Sequence, residues 1–221
     1  MTKRYFVTAT DTDAGKTLIT SALCFELAKK MRVSAFKPIS AGCDLIDGEL
    51  VNEDAKCLFE TANMGQTIAE VNPIAYQAPI APHIAAANQN KEITLAEIEN
   101  HYQKLTDKAP DIIFTEGAGG WRLPIGNGKF LSDFAISTNQ QIILVVNMKL
   151  GCLNHALLTY EAIKRDGLEC AAWVANSYQD MLNLKENFEE LKALLPVPCL
   201  GFVPKVSSYE QAVEYLNTAI L

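Results

Sequence analysis

Gly15, Lys16 and Thr17 lie between a short apolar run, Tyr5-Phe6-Val7, and a segment with apolar residues at helical spacing from Leu18 onward. A loop between a strand and a helix offers free backbone N–H groups and the positive end of the helix dipole to an anion. In that setting Lys16 reaches the outer phosphates of a nucleotide, and the Thr17 hydroxyl is placed for Mg²⁺. The full pattern G-x-x-x-x-G-K-[ST] asks for glycine at position 10, where this chain has Thr10. The match is therefore to Gly-Lys-Thr in the right context, not to the whole string.

Other residues suit the same chemistry. Glu116 follows the apolar run Ile112-Ile113-Phe114 and precedes Gly117-Ala118-Gly119-Gly120, small residues that let backbone approach a ligand. Asp54 falls in the first turn of an expected helix, a place where an acid often serves only the helix dipole. With Thr17, these two carboxylates form an oxygen set of the kind that Mg²⁺ accepts beside phosphates. Lys37 stands at the carboxyl end of the strand Val33–Phe36, just before Pro38, and α/β sheets keep their ligands at that edge. Such a lysine is usually a solvated charge. Near a phosphate loop, two lysines could stabilise both a transferring phosphoryl group and an anionic nucleophile.

The pattern predicts the elements that hold these groups. Leu18, Ile19, Ala22, Leu23, Leu27 and Met31 mark a helix to about Lys30. Residues 42–48 read as a polar loop, a helix starts at Asn52, and residues 72–83, with three prolines, read as loop. Thr94 and Glu97 form a capping box for a helix continuing through Leu105. Ile112–Thr115 is a buried strand, and Ile142–Val146, the most hydrophobic run, is central. A helix follows and ends at Gly167. Cys170–Val174 and Leu200–Val203 are further strands. Residues from Met181 to Leu195 mark a helix, and 209–220 a closing helix. Strands alternating with helices give an α/β fold, a mostly parallel sheet with helices on both faces, in one domain over residues 1–221.

At 221 residues the chain can bury a large core. Its net charge of −7, without basic blocks, argues against nucleic acid or an anionic membrane as partner. Six scattered cysteines with no C-x-x-C pair suggest a reduced compartment and no zinc site. The first strand begins directly after Lys3-Arg4, leaving no room for a signal peptide, and no apolar run approaches the ~20 residues of a membrane helix. A cytoplasmic protein is the expectation.

The motifs T-D-T-D-A-G-K-T, F-K-P-I, N-E-D-A, A-P-H-I, E-G-A-G-G-W, V-V-N-M-K-L-G-C-L-N-H-A-L-L-T and W-V-A-N occur in this order. Together, over residues 2 to about 204, they closely resemble the dethiobiotin synthetases, which have a P-loop NTPase fold. The resemblance implies closure of a ureido ring from 7,8-diaminononanoate, CO₂ (or bicarbonate) and MgATP. A substrate amine captures CO₂ as a carbamate, which attacks the γ-phosphate. The second amine then closes the mixed anhydride and releases phosphate. On matching motifs, Lys16 and Lys37 would flank the carbamate and γ-phosphate, and Thr12 would touch the diamine or carbamate. Thr17, Asp54 and Glu116 would hold Mg²⁺. ATP would be bound by Asp13, Ala14, Gly15, Leu18, Gly117, Ala118 and Gly119, with Asn176 reading the adenine edge and Ser177, Val203, Pro204 and Lys205 near the base. The substrate's distant carboxylate would rest on Gly151, Cys152 and Asn154, contributed by the other subunit of a homodimer.

Two positions depart from the family pattern. Ala9 replaces a glycine, and Ala41 replaces a small hydroxyl residue whose place in binding substrate would fall to Ser40, one residue earlier. Cys152 reads as a small buried hydrophobe, and neither His83 nor His155 is required by this chemistry. Other enzyme and non-enzyme readings have specific obstacles. A cobyrinate-type amide ligase needs a glutaminase domain. Partition-type ATPases carry an extra lysine early in the loop, where this chain has Thr10-Asp11. GTP switches need N-K-x-D, and Asn147-Met148-Lys149-Leu150 is not that string. A degenerate nucleotide-binding protein is the remaining alternative.

Overall fold

A computed structural model describes residues 2–221. In chain order the elements are β1 (Lys3–Ala9), α1 (Lys16–Ala28), β2 (Val33–Phe36), β3 (Ile39–Ala41), β4 (Asp44–Ile46), β5 (Glu49–Val51), α2 (Glu53–Thr61) and α3 (Ile68–Val71). There follow β6 (Ile74–Tyr76), α4 (Pro82–Asn88), α5 (Leu95–Asp107), β7 (Ile112–Glu116), β8 (Pro124–Gly126), β9 (Lys129–Phe130) and α6 (Leu131–Ser137). The chain ends with β10 (Gln141–Asn147), α7 (Cys152–Arg165), β11 (Cys170–Asn176), α8 (Leu184–Leu194), β12 (Cys199–Val203), α9 (Tyr209–Val213) and a 3₁₀ turn, Thr218–Ile220.

Six strands form one parallel sheet in the order β12-β11-β10-β1-β7-β2. Period-2 alternation divides its side chains between two cores. Phe6, Ile142, Leu144 and Val146 pack on one face with α5, α6, α7 and α8. Tyr5, Val7, Ile143 and Val145 pack on the other with α1, α2 and α9. Each fully buried Val, Leu or Ile contributes about 1.5–3 kcal/mol, so β10, buried on both faces, anchors the sheet's centre together with β1.

The register also fixes the working edge. Val7 pairs with Glu116, and Phe36 pairs with Thr115. The carboxyl ends of β1, β7 and β2 therefore lie side by side, and the phosphate loop, Glu116 and Lys37 leave the sheet from adjacent strands.

Four expectations from the sequence require correction. Residues 42–48 are not a plain loop, because β4 and β5 make an antiparallel hairpin around Asp47-Gly48. Both turn residues have positive φ, 51° and 86°, the signature of an Asp-Gly two-residue hairpin turn. Residues 72–83 hold β6, which pairs in parallel with β3, and the start of α4, where Pro82 occupies the first turn, a position that needs no N–H. The closing helix stops at Val213. There the chain packs on β12 and the Asn217 N–H donates to the Leu200 carbonyl at 2.7 Å instead of continuing a helix. The capping box at α5 is half made, since Thr94 accepts from the Glu97 N–H at 3.2 Å.

Gly201 makes that last packing possible. A Cβ at this position would stand 1.9 Å from the Tyr215 carbonyl oxygen. Gly201→Ala should push the C-terminal segment off β12 and destabilise the protein by about 1–3 kcal/mol, the usual cost of overpacking. Thermal or denaturant unfolding measures this, and an unchanged midpoint would show that the segment yields freely.

Candidate active site

The turn from β1 into α1 is built for an anion. Asp13 and Gly15 both hold positive φ, 56° and 87°, and Gly15 is the residue from which α1 starts. Only glycine fits at position 15, because a Cβ there would meet Asn176 Nδ2 at 2.1 Å and the Tyr178 hydroxyl at 2.7 Å. The two sequence departures at the front of the loop cause no strain. Ala9 is extended strand paired with Val145, and its φ is not positive. Thr10 joins the loop to β10 by accepting from the Asn147 N–H at 3.1 Å.

Beyond the loop a cleft of about 730 Å³ is lined by Thr12, Asp13, Gly15, Lys16, Thr17, Leu18, Lys37, Ser40, Asp54, Ala118 and Gly119. The sequence singled out all of these. The cleft wall also includes Asn52, Ile80, Pro82, Leu123, Tyr178 and Gln179, which sequence reasoning missed. Tyr178 could have been suspected from its place two residues after the end of β11, and Pro82 from the A-P-H-I motif, which Ile80 directly precedes.

At its centre is a charged cluster. Lys37 Nζ lies 2.6 Å from Glu116 Oε1 and 3.0 Å from Asp54 Oδ2. The Thr17 hydroxyl donates to the same Glu116 oxygen at 2.9 Å. Lys37 is 3% exposed and Glu116 0%, so the pair survives in the interior only through mutual neutralisation. Removing one member of such a buried pair typically costs about 3–5 kcal/mol.

Burial alone would lower the Lys37 pKa, but Glu116 and then Asp54 outweigh it and hold the ammonium above the ordinary lysine value. At Asp54 burial pushes upward, and Lys37, with help from Thr17 and Lys16, brings the carboxyl below its ordinary value. Lys16 goes the other way. Burial depresses it, Glu116 opposes this, and the positive charge of Lys37 depresses it further.

The oxygens of Thr17, Asp54 and Glu116 fit a hard divalent cation. Glu116 Oε2 is buried with no hydrogen-bond partner, and two carboxylates with a hydroxyl match what Mg²⁺ takes beside phosphate oxygens and water. Among the described residues no group of three or more His, Cys, Asp or Glu side chains gathers for a metal, so a site built wholly from such ligands is absent.

The remaining predicted residues lie around this centre. Asn176 donates to the Ala14 carbonyl at 2.9 Å and leaves its own Oδ1 buried without a partner. Ser177, Pro204 and Lys205 line a neighbouring cleft beyond Tyr178, and buried Val203 accepts from the Ser177 N–H at 2.9 Å. Gly117 does not line the cleft; it packs on Phe6, whose ring a Cβ would meet at 3.0 Å. Ser40 lines the cleft, yet its hydroxyl donates to Asn72 at 2.6 Å and is left only as an acceptor. Gly151, Cys152 and Asn154 stand outside the cleft of their own chain, next to Leu150, which is 92% exposed. The Cys152 N–H is already spent on the Lys149 carbonyl at 2.9 Å, and its side chain is buried, with the thiol pKa pushed up by burial.

A family model described as an AAA domain matches residues 3–213. The ATP-dependent dethiobiotin synthetase BioD of Alteromonas mediterranea is 46% identical, covering 97% of this chain and all of that protein. The enzyme of the same name from Aeromonas salmonicida is 44% identical over 94% of this chain and 93% of its own. Among solved structures, the septum site-determining protein MinD with Mg-ADP from Pyrococcus horikoshii superposes with a TM-score of 0.61 at 18% identity, over 99% of this chain and 88% of that one. A ParA family ATPase from Chlorobium tepidum gives 0.58 at 14%, over 99% and 92%. These two likenesses show the P-loop NTPase fold alone. Identity above 40% across nearly the whole of both chains, on that fold, makes this chain a member of the ATP-dependent dethiobiotin synthetase family.

Proposed function

We propose that the chain is an ATP-dependent dethiobiotin synthetase, a cyclo-ligase that carboxylates 7,8-diaminononanoate and closes its ureido ring at the expense of ATP. The observation that carries this reading is the second buried ammonium. Lys37 stands with Glu116 and Asp54 beside Lys16 at the mouth of the phosphate loop. A carbamate and a γ-phosphate are both anions, and bringing them together requires cations aimed at each.

In this reading an amine of the substrate adds to CO₂ and loses a proton, giving the carbamate. A carbamate oxygen attacks the γ-phosphorus and ADP leaves. The second amine attacks the carbamoyl carbon, gives up a proton to the departing phosphate, and the ring closes as phosphate leaves with the electrons of the broken C–O bond. Lys16 faces the outer phosphates, Lys37 faces the carbamate and the migrating phosphoryl group, and Thr12 orients the diamine. The base rests near Asn176, whose unpartnered Oδ1 can accept from an exocyclic amine, and near Pro204 and Lys205. Thr17, Asp54 and Glu116 would hold Mg²⁺, which when bound neutralises charge on the phosphates.

The substrate's far carboxylate would lie on the N-terminal turn of α7 from a second copy, since that turn stands away from its own cleft. A nucleotide switch shares the fold but has no use for a diamine, and a cytoplasmic location agrees with the absence, among the described residues, of any helix long and apolar enough to cross a membrane.

Phosphate release from ATP should depend on both 7,8-diaminononanoate and bicarbonate. Equal release without the diamine would favour the switch. In the same assay, Asp54→Asn and Glu116→Gln should raise the Mg²⁺ concentration needed for turnover, and unchanged titrations in both would remove these acids from the metal.

The opposite shifts of the two lysines fix an order of titration. As pH rises, depressed Lys16 should lose its proton before raised Lys37, so the alkaline loss of nucleotide binding belongs to Lys16. Heteronuclear NMR of the lysine Cε resonances reads this order, and the reverse order would refute it.

The shared site is tested by mixing Lys37→Ala with Leu153→Pro, which removes an N–H from the first turn of α7. Each protein alone has two broken sites. Random exchange makes about half of the dimers mixed, so roughly a quarter of all sites should regain activity under two-fold symmetry. No recovery between two folded, dimeric variants would place each site within one chain.

A further inference from the structure

The backbone that carries Lys37 lies between two sheets and belongs to neither. β2 ends at Phe36, and β3, which starts at Ile39, pairs with β6 in a separate two-stranded ribbon. Between them stand Lys37 and Pro38, and proline has no N–H to offer a ladder. A lysine whose ammonium must reach a buried carboxylate at 2.6 Å has little freedom to have its backbone rotate.

Asn72 supplies the restraint. Its Nδ2 donates to the Lys37 carbonyl at 2.7 Å, and its Oδ1 accepts from the Ser40 hydroxyl at 2.6 Å. The preceding residue adds a third bond, since the Lys37 N–H donates to the Val71 carbonyl at 2.7 Å. Asn72, Lys37 and Ser40 are all buried. A carboxamide carries a donor and an acceptor on one short stem, which is what a carbonyl and a hydroxyl three residues apart require. Aspartate would turn an acceptor toward the Lys37 carbonyl, and an aliphatic residue would leave that buried carbonyl unpaired and the Ser40 hydroxyl with only Cys43 Sγ, at 3.1 Å.

Asn72 is itself held from outside the cleft. It caps the C-terminus of α3, donating its N–H to the Ile68 carbonyl at 2.8 Å. The N-terminus of α3 is closed by a reciprocal Thr67–Glu70 capping box, and Glu70 also pairs with Lys108 at 2.6 Å.

We propose that Asn72 is a positioning residue for catalysis: it fixes the Lys37–Ser40 backbone so that the Lys37 ammonium is held between Glu116 and Asp54. Asn72 does not line the cleft and acts only through Lys37. The proposal rests on the synthetase reading for its kinetic consequences, but not for its structural one.

Displacing a reacting group by about 1 Å can cost about 10²-fold in rate. Asn72→Ala should therefore lower kcat by roughly 10- to 100-fold while the KM for ATP stays within about 2-fold. The decisive measurement is the double-mutant cycle, in which Lys37→Ala with Asn72→Ala should be no slower than Lys37→Ala alone. A purely structural asparagine would slow the lysine-less enzyme as well, and multiplied losses would overturn the proposal, as would near-normal turnover of Asn72→Ala. If Asn72→Ala does not fold, Asn72→Asp keeps the shape and the Ser40 bond, and the same cycle applies to it. One readout is independent of turnover. A crystal structure of either variant should show the Lys37 ammonium displaced from Glu116 and Asp54, and an ammonium kept at its 2.6 and 3.0 Å distances would refute the positioning role. Should the wild type show no diamine-dependent turnover, the synthetase reading fails and the structure of the variant still decides the role of Asn72.

Discussion

A buried ammonium is unstable unless something neutralises it, and the site follows from how Lys37 meets that demand. Glu116 and Asp54 supply two negative charges, and Lys37 with Lys16 supply two positive ones. The four groups balance before any nucleotide arrives. Because the carboxylates face Lys37 directly, the second lysine bears the cost of crowding two ammoniums into one cleft, and its proton is the more weakly held. Incoming phosphates give Lys16 the partner that the protein alone does not, so ligand binding relieves an electrostatic cost instead of imposing one.

The sheet order makes this neutralisation possible without long side chains or loops. With β7 inserted between β1 and β2, Glu116 stands between the phosphate loop and Lys37. A strand order following the sequence would have put β2 beside β1 and left Glu116 at the rim. Asp54 reaches the same point from α2, where Asn52 caps the helix by accepting from the Ala55 N–H at 3.3 Å and so turns the first-turn acids toward the cleft. Here the acid beside the helix dipole also serves as a counter-ion.

Much of this was legible in the chain. The runs around Phe6, Phe114 and Val145 announce strands through hydrophobicity alone; Glu116 ends one of them, Lys37 follows the end of β2, and Lys16 opens the helix after the first strand. What the sequence concealed depends on contacts between distant segments. The hairpin at Asp47-Gly48 did carry a local signal, a dipeptide suited to positive φ, but β4 and β5 are only three residues each and largely exposed, so their apolar alternation is faint. The break in the last helix cannot be read locally, because its cause is the bare face of Gly201 on a different strand. Tyr178 belongs to the cleft only because β11 delivers it over Gly15, 163 positions earlier in the chain. Ser40 shows the converse: its type suggests a ligand contact, while Asn72, 32 residues away, has already taken its proton.

The position of β7 also governs how the molecule comes into being. Lys3 pairs with Ile112, and Tyr5 with Gln141, so the first strand waits for more than half the chain before either of its neighbours exists. Loop closure over such distances makes a parallel sheet of this kind slow to nucleate. During synthesis an apolar strand and its phosphate loop emerge long before β7 and β10, unpaired and prone to stick to other chains. The buried counter-ion of Lys37, Glu116, is made 79 residues after it, while the more exposed Asp54 comes earlier. Until then the lysine remains hydrated, and the nascent chain carries a phosphate-loop motif without the buried charge pair that organises its cleft.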